Sequence, residues 1–231
     1  MKTIGLIGGM SWESSIEYYR IINETVKAKL GGLHSAKNLM YSVDFAEIET
    51  LQHQGKWQEA AQVLIEAAQR LESGGANFFI LCTNTMHKVA EAIQAQVRIP
   101  LLHIADATAQ PIKGDGLHKV GLLGTRFTME EDFYTSRLTE KHGLDVIVPD
   151  VPARAIVHRV IYDELVRGEI QPGSKKQYLE IIEQLVQAGA EGVILGCTEI
   201  GLLVRPGDCR VPLFDTTRIH AVAATEYALA E

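Results

Sequence analysis

The stretches FFILCTNTMH (residues 78–87) and GVILGCTEIG (residues 192–201) share one pattern, in which an apolar run ends at cysteine, threonine and a further polar side chain. Four or five consecutive apolar residues bounded by polar ones are typical of a strand that is buried on both faces. Such strands belong to parallel sheets covered by helices, so the two stretches favour an α/β fold.

The cysteines of the two stretches do not coincide when they are aligned. With the Gly-Ala pairs at 75–76 and 189–190 superposed, Cys197 falls opposite Thr83, and Cys82 lies one residue earlier. Side chains alternate between the faces of a strand, so one step reverses the direction of a side chain. The alignment therefore pairs a thiol with a hydroxyl rather than with a second thiol.

The rest of the chain continues the alternation of short strands and longer helices. Amphipathic helices are predicted at residues 14–29 and 57–75 from the spacing of their apolar residues. The predicted strands fall into two groups of four: residues 3–9, 38–44, 77–81 and 100–104, followed by residues 119–124, 145–149, 192–196 and 212–215. The fold class predicted is α/β, with two mainly four-stranded parallel sheets flanked by helices.

The second group of strands repeats residues of the first at nearly constant distance. KTIGLIGG resembles HKVGLLGT with an offset of 116 residues, which also relates Tyr18 to Tyr134, and two later matches are offset by 114 and 112. Collinear matches of this kind indicate two pseudo-symmetric lobes. We expect one lobe to comprise residues 1–104 plus 216–231 and the other residues 105–215. Ligands of open parallel sheets bind beyond the carboxyl ends of the strands, which predicts an active site in the cleft between the lobes.

Composition and charge exclude several classes of partner. The chain has 231 residues, is 46% hydrophobic and carries a formal charge of −7, which argues against binding nucleic acid or an anionic membrane. No signal peptide and no apolar run near the ~20 residues of a membrane span are present. Three cysteines without an export signal predict free thiols in the cytoplasm. The absence of CxxC, HxxxH and HExxH makes a structural zinc site unexpected.

The glycine turn GLIGGMSW (residues 5–12) lacks the GxGxxG pattern of dinucleotide sites and the Lys-Ser/Thr pair of a phosphate loop. It reads as a tight turn between strand and helix. Its backbone N–H groups, together with Met10 and Ser11, could in addition border an anionic ligand.

The polar residues at the two strand ends are the candidates for chemistry. Thr83, Asn84 and Thr85 offer neutral donors that either bind a carboxylate or cap the following helix. Cys197 stands at a predicted helix start, where backbone N–H groups and the helix dipole are expected to lower its pKa from ~8.5. Cys82 is interpreted as a buried residue and Cys209 as incidental. Other polar residues near strand ends either line the site or cap helices: His87, His103, Asp106, Asp215 and Arg218.

The segments IGLIGGMSWESS, LCTNTMHK and LGCTEIGLL resemble the aspartate/glutamate racemase family, and the similarity runs along the whole chain. It is particularly close to bacterial racemases specific for L-aspartate and L-glutamate. The resemblance implies a small-molecule amino-acid substrate, a homodimer, and no need for pyridoxal phosphate (PLP) or a metal. It also implies substrate contacts, which are Met10, Gln52, the segment 83–85, Thr198 and Glu199. The sequence places Gln52 near a helix start after the second strand, in a loop that could lean over the cleft.

The chemistry that the resemblance implies is removal of the α-proton by a base on one face and its return by an acid on the other. The carbanion that forms needs dense hydrogen bonding at its carboxylate. The family usually has cysteine directly before Asn-Thr, whereas this chain has Thr83. Our hypothesis is that Cys197 is the base acting on the L-enantiomer and Thr83 the opposing proton donor.

Several alternatives stay open at this stage. Hydantoin racemisation, maleate isomerisation and arylmalonate decarboxylation use similar strand-end cysteines. A cysteine hydrolase is less expected, since no histidine is placed to serve Cys197. A two-lobed binding protein would share the architecture but would need an export signal. The sequence does not decide between aspartate, glutamate and a wider set of amino acids.

Overall fold

The computed structural model describes residues 1–230, which divide into two compact units. The first unit contains Met1–Ile104 and the segment that begins at His220, and the second contains Ala105–Ile219. Each unit has one parallel sheet flanked by helices, which confirms the predicted α/β class. None of the described helices combines the length and the hydropathy that crossing a membrane requires.

The first unit begins with a strand at the predicted position. Its strands and helices are β1 (Ile4–Gly8), α1 (Trp12–Leu30), β2 (Asn38–Ser42), α2 (Phe45–His53), α3 (Trp57–Ser73), β3 (Phe78–Leu81), a 3₁₀-helix (Thr85–Val89) and α4 (Ala90–Gln94). Ser11 starts α1 by accepting a hydrogen bond from the Ser14 N–H, and Asp44 starts α2 in the same way from Ala46.

The sheet of the first unit has three strands in the order β2-β1-β3. The fourth strand predicted at residues 100–104 is a single bridge between Phe79 and Leu101. Phe79 exchanges backbone hydrogen bonds with Pro100 and Leu102, but the next helix already begins at Ile104. The extended segment therefore joins the sheet at one residue and not as a fourth strand.

The second unit repeats the same succession of elements. After α5 (Ile104–Gly114), it contains β4 (Lys119–Gly124), α6 (Arg126–Glu130), α7 (Asp132–Ser136), a π-helix (Arg137–Lys141), β5 (Asp145–Ile147), α8 (Val151–Asp163), a 3₁₀-helix (Leu165–Arg167), α9 (Pro172–Gln187), β6 (Gly192–Gly196), α10 (Ile200–Leu203), β7 (Leu213–Asp215) and the start of α11 (Thr216–Leu229), which belongs to the first unit from His220 onward. The strand order is β5-β4-β6-β7, so central and flanking strands follow the order of the first sheet.

Packing at equivalent positions supports the internal repeat. A Cβ at Gly5 would lie 3.1 Å from Leu71 Cδ1, and one at Gly121 would lie 2.9 Å from Leu185 Cδ1. These two glycines let a helix approach the central strand of each sheet, because neither has a side chain in the way. The helix-ending glycines at 75 and 189 have φ of +91° and +97°. Each sheet is thus covered by a helix in the same manner.

Both faces of the first sheet are buried, and alternate residues of β3 contribute to different cores. Phe78 and Ile80 pack with Tyr18 on one face, whereas Phe79 and Leu81 pack with α3 on the other. Cys82 continues the alternation and joins the Tyr18 side. The direction of its side chain therefore follows from the strand that precedes it.

Candidate active site

The candidate residues lie at the carboxyl ends of β3 and β6, which we call the first and second strand ends (residues 82–87 and 196–201). Each strand hydrogen-bonds the central strand of its own sheet, β1 or β4. The backbone N–H of Cys82 donates to Ile7 in β1, so the first strand end lies beside the turn that contains Met10. The first strand end belongs to the first unit and the second strand end to the second unit.

Cys82 is fully buried among apolar side chains at the first strand end. Burial raises the pKa of its thiol well above the ordinary value, because a thiolate would lose its solvation there. A thiol in such surroundings is a small hydrophobic residue, which agrees with its interpretation as a packing residue.

Thr83 directly follows Cys82 and is 7% exposed. Its carbonyl oxygen accepts a hydrogen bond from Nδ1 of His87 at 2.8 Å. Its hydroxyl makes no hydrogen bond to any residue in the described part of the chain, 1–230. Asn84 and Thr85 are also buried, and Thr85 begins the 3₁₀-helix. The Asn84 side chain makes no capping bond to that helix among the described residues, so the simple capping role is wrong for Asn84.

Cys197 is 8% exposed, and its thiol has a close polar neighbour within the second strand end. Its Sγ donates to Glu199 Oε2 at 2.9 Å, and the hydroxyl of Thr198 donates to the same oxygen at 2.9 Å. Glu199 is 1% exposed, so its carboxylate is removed from water and held by these two donors. The strand end thus pairs a thiol with a buried carboxylate.

The pKa of Cys197 lies well above its ordinary value, and the predicted lowering is wrong. Burial is the main cause, and the negative charge and hydrogen bond of Glu199 add to it. The backbone N–H groups of Thr198 and Glu199 do lower the pKa, as expected, but they are outweighed. The following helix α10 has only four residues, so its dipole is small.

Two predicted substrate contacts lie in the interior of the first unit. Met10 is 4% exposed and packs in the same core as Leu81 and Met86. Gln52 lies near the end of α2, which corrects its predicted place near a helix start in a loop. Its Nε2 donates to Met86 Sδ at 3.0 Å, so it contacts the segment that directly follows Thr85.

The remaining polar candidates have structural contacts. Asp215 accepts hydrogen bonds from the N–H groups of Thr217 and Arg218 and thereby caps α11. Asp106 forms ion pairs with Arg137 and Lys141 and a hydrogen bond with His142, all within the second unit. Burial opposes ionisation of Asp106, but hydrogen bonds from these three side chains hold its pKa far below the ordinary value. His87 and His103 pack ring to ring, with centroids 4.4 Å apart. Residues 1–230 contain no group of three His, Cys, Asp or Glu side chains arranged to hold a metal.

The second strand end places an ionisable acid directly against a nucleophilic or basic thiol. Such a pair can pass a proton between sulfur and oxygen without a change in its total charge. The first strand end places neutral hydroxyl and amide groups in the equivalent positions. Sequence reasoning found all of these residues but missed the contact between Cys197 and Glu199, which depends on the side-chain conformation of the glutamate.

Known proteins resemble this chain along most or all of its length. The chain is 60% identical to a candidate Asp/Glu racemase from Yersinia pestis over the full length of both chains, with a TM-score of 0.92. It is 37% identical to an aspartate racemase homologue from Pyrococcus horikoshii OT3, again over both full lengths, with a TM-score of 0.86. The broad specificity amino-acid racemase RacX of Bacillus subtilis is 25% identical over 74% of each chain.

The sequence profile of one family covers nearly the whole chain. It matches residues 7–224, which include both strand ends and the Gly-Ala pairs that relate them. The predicted resemblance is thereby confirmed, and the chain belongs to the Asp/Glu/Hydantoin racemase family.

Proposed function

We propose that the protein interconverts the L and D forms of acidic amino acids by removing the proton from Cα and returning one on the opposite face. Cys197 is the base that acts on the L-enantiomer, and Thr83 is the opposing proton donor. The observation that carries the proposal is the 2.9 Å hydrogen bond from Cys197 Sγ to the buried carboxylate of Glu199. Aspartate and glutamate are the proposed substrates because the full-length relative from Yersinia pestis is named for both.

Glu199 gives Cys197 a route to the thiolate, which is the form that can accept the α-proton. The thiol proton moves to Oε2, the bond to sulfur breaks, and the negative charge moves from oxygen to sulfur. The pair holds one proton and one negative charge before and after the transfer. Once Cys197 has taken the α-proton and Thr83 has given its own proton to the opposite face of Cα, the proton left on Glu199 passes through solvent to the Thr83 oxygen, which restores the starting state. This route matters because burial keeps the Cys197 pKa well above its ordinary value, so loss of the proton to water is unfavourable.

The neutral donors at the strand ends suit the other requirement of the reaction. Removal of the α-proton places charge on the substrate carboxylate, and pre-positioned donors stabilise that charge. We propose that Met10, Gln52, Asn84, Thr85, Thr198 and Glu199 surround the substrate. Gln52 acts in part through Met86, since its amide already donates to that side chain.

The replacement of a second cysteine by Thr83 makes the two directions of the reaction unequal in mechanism. A hydroxyl donates a proton to a carbanion but is a far poorer base than a thiol. Enantiomers have equal free energies, so kcat/KM must be the same in both directions. We therefore expect a low kcat with D-substrate, matched by a low KM.

The state in which the protein acts is proposed from the resemblance alone. We propose a homodimer in the cytoplasm that works without PLP or a metal. Light scattering on the purified protein checks the dimer. Racemisation measured after dialysis against a chelator and a carbonyl reagent checks the cofactor proposal, and loss of activity would contradict it.

Deuterium incorporation at Cα tests the proposed function directly. The purified protein is incubated in D₂O with L- and D-aspartate and with L- and D-glutamate, and the products are analysed by mass spectrometry and chiral chromatography. A hydantoin and an arylmalonate serve as substrates of the alternative reactions. We expect exchange and inversion with at least one acidic amino acid. Exchange with none of them, or turnover of the hydantoin or malonate alone, would overturn the proposal.

A further inference from the structure

His87 lies one turn after Thr83, in the 3₁₀-helix of the first unit, and is 3% exposed. Its Nδ1 is 2.8 Å from the carbonyl oxygen of Thr83, and its Nε2 is 3.2 Å from the backbone nitrogen of Ile104. The imidazole thus bridges the first strand end and the start of α5.

The two contacts fix the proton on one ring nitrogen. A backbone N–H can only donate, so Nε2 must accept from Ile104 and carry no proton. A carbonyl oxygen can only accept, so Nδ1 must carry the proton and donate to Thr83. His87 is therefore a neutral imidazole with its hydrogen on Nδ1, held at both ends.

We propose that His87 is a positioning residue for the proton-donor side of the reaction, which it serves by holding the backbone of Thr83. This inference rests on the proposed role of Thr83. The Thr83 hydroxyl has no hydrogen bond within residues 1–230, so its position is set by its backbone and rotamer. The bond from His87 fixes the peptide plane that follows Thr83 and with it the direction of the Asn84 N–H.

The backbone segment around Ile104, which donates to His87, is itself held in place by His220. Nε2 of His220 lies 2.8 Å from the carbonyl oxygen of Leu102, two residues before Ile104. His220 Nδ1 contacts the Tyr18 hydroxyl at 3.0 Å, and both residues are fully buried. The segment to which His87 connects Thr83 is thus tied to the core of the first unit.

The second strand end has no comparable imidazole. The residue aligned with His87 is Gly201, and a Cβ there would lie 2.7 Å from Asp215 Oδ2. The carbonyl of Cys197, which is equivalent to that of Thr83, accepts instead from the Ile200 backbone N–H at 3.1 Å. Loss of His87 should therefore impair proton return by Thr83 while proton removal by Cys197 continues.

The distribution of deuterium between recovered L-substrate and D-product separates proton removal from proton return. When L-substrate is incubated in D₂O, deuterium in recovered L-substrate reports Cys197 alone, whereas deuterium in D-product requires the Thr83 side. His87→Asn keeps a donor near the place of Nδ1, and His87→Gln moves the amide to the place of Nε2. We expect His87→Gln to lower the ratio of inversion to retained exchange about tenfold, as small misplacements of catalytic groups do. His87→Asn keeps a donor for the Thr83 carbonyl, so its ratio of inversion to retained exchange should stay within about threefold of the wild-type ratio.

His142→Gln is the matched control, because it alters a largely buried histidine of the second unit whose ring contacts Asp106 and not the His87 bridge. It should lower the melting temperature but leave the ratio of inversion to retained exchange unchanged. A folded His87→Gln protein with the wild-type ratio, or a His142→Gln protein with an equally reduced ratio, would overturn the inference.

Nitrogen-15 NMR of the imidazoles in the wild-type protein provides a readout that does not depend on activity. The expected spectrum shows His87 with its proton on Nδ1 at neutral pH, assigned by comparison with His87→Asn or, if that variant does not fold, through backbone-directed assignment. The Nε2-protonated form would overturn the inference even if neither variant folds. Wild-type protein with no Cα exchange but the expected tautomer would contradict the proposed function while leaving the hold on the Thr83 backbone intact.

Discussion

The two strand ends share a backbone plan and differ in the chemistry they can perform. At the second, Cys197 donates to the buried carboxylate of Glu199. At the first, the aligned residues are Thr83 and Thr85, which carry hydroxyl groups instead. The first strand end has an additional imidazole, His87, where the second has Gly201. In the proposed mechanism, the base must first pass its own proton to a partner, whereas the group that returns a proton must be a well-placed donor that is reprotonated before the next turnover.

The difference shows how a repeated fold can carry different side chains at equivalent strand ends. Gly5 and Gly121 keep the same helix contacts, and Tyr18 and Tyr134 remain fully buried in both units. Packing constrains these positions, because a change of one methylene in a dense core is costly. Residues just beyond the strands lie outside that constraint, so their chemistry can differ between the halves.

The largest expected effect comes from removing the thiol of Cys197. Cys197→Ala should lower deuterium exchange from L-substrate by about 10³-fold, which is within the range of general acid–base contributions. Cys82→Ala is the matched control, since it removes a buried thiol one residue before Thr83. If Cys82→Ala abolished deuterium exchange and Cys197→Ala did not, the assignment of Cys197 as the base would be wrong.

Glu199→Gln tests whether the carboxylate takes the thiol proton. The amide preserves the size of the side chain but cannot accept the proton in the same way, so the racemisation rate should fall about 10²-fold. Removing the negative charge should at the same time lower the pKa of Cys197. The pH dependence of alkylation of Cys197 measures this shift, with Glu183→Gln as an exposed control. A midpoint that moves to higher pH would contradict the pairing.

Thr83→Cys should make the two strand ends more alike. A thiol at this position is a better base than the hydroxyl, so kcat with D-substrate should rise about tenfold, with a proportionate rise in KM. Steady-state rates in both directions measure the change, and the ratio of the two kcat/KM values must remain equal to one. A D-substrate kcat that does not rise would show that Thr83 does not limit that direction.

The smallest expected effect is a loss of stability of the first unit at acidic pH. Burial lowers the pKa of His220 from 6.5 to about 4, so the native protein binds this proton less readily than the unfolded chain. The stabilisation that the native state gains from the neutral form of His220 is complete above pH 6.5 and is lost as the pH falls toward 4. At pH 5 the loss amounts to roughly 2 kcal/mol. Hydrogen exchange followed by mass spectrometry should show the first unit opening more readily at pH 5 than at pH 7, with a smaller change in His220→Gln.

The strands and helices were largely predictable because their residues are constrained by periodic burial. The strands near residues 3–9, 119–124 and 192–196 follow directly from apolar runs and turn residues. Residues 100–104 were wrongly predicted as a full strand, because an apolar run does not show that a helix begins at Ile104. Pairing depends on the backbone hydrogen bonds that a segment makes with its neighbour, which hydrophobicity alone does not report.

The residues of the candidate site were easier to predict than their protonation states and side-chain contacts. The internal alignment relates Cys197 to Thr83, and the side of the strand on which Cys82 lies follows from alternation. The pKa of Cys197 was predicted in the wrong direction, because burial and the Glu199 carboxylate outweigh the backbone N–H groups. Both causes depend on tertiary packing and on a rotamer. The position of Gln52 was missed for a different reason, since α2 already begins at Phe45 and the sequence analysis placed a helix start near Gln52.

The protonated state of Cys197 also bears on how the protein withstands oxidation. Peroxides react with thiolates, and cysteines with a low pKa are the ones most readily converted to sulfenic acid. Burial and the neighbouring carboxylate keep the proton on this sulfur, and burial does the same for Cys82. The resting protein should therefore keep both thiols reduced in aerated buffer without added reductant.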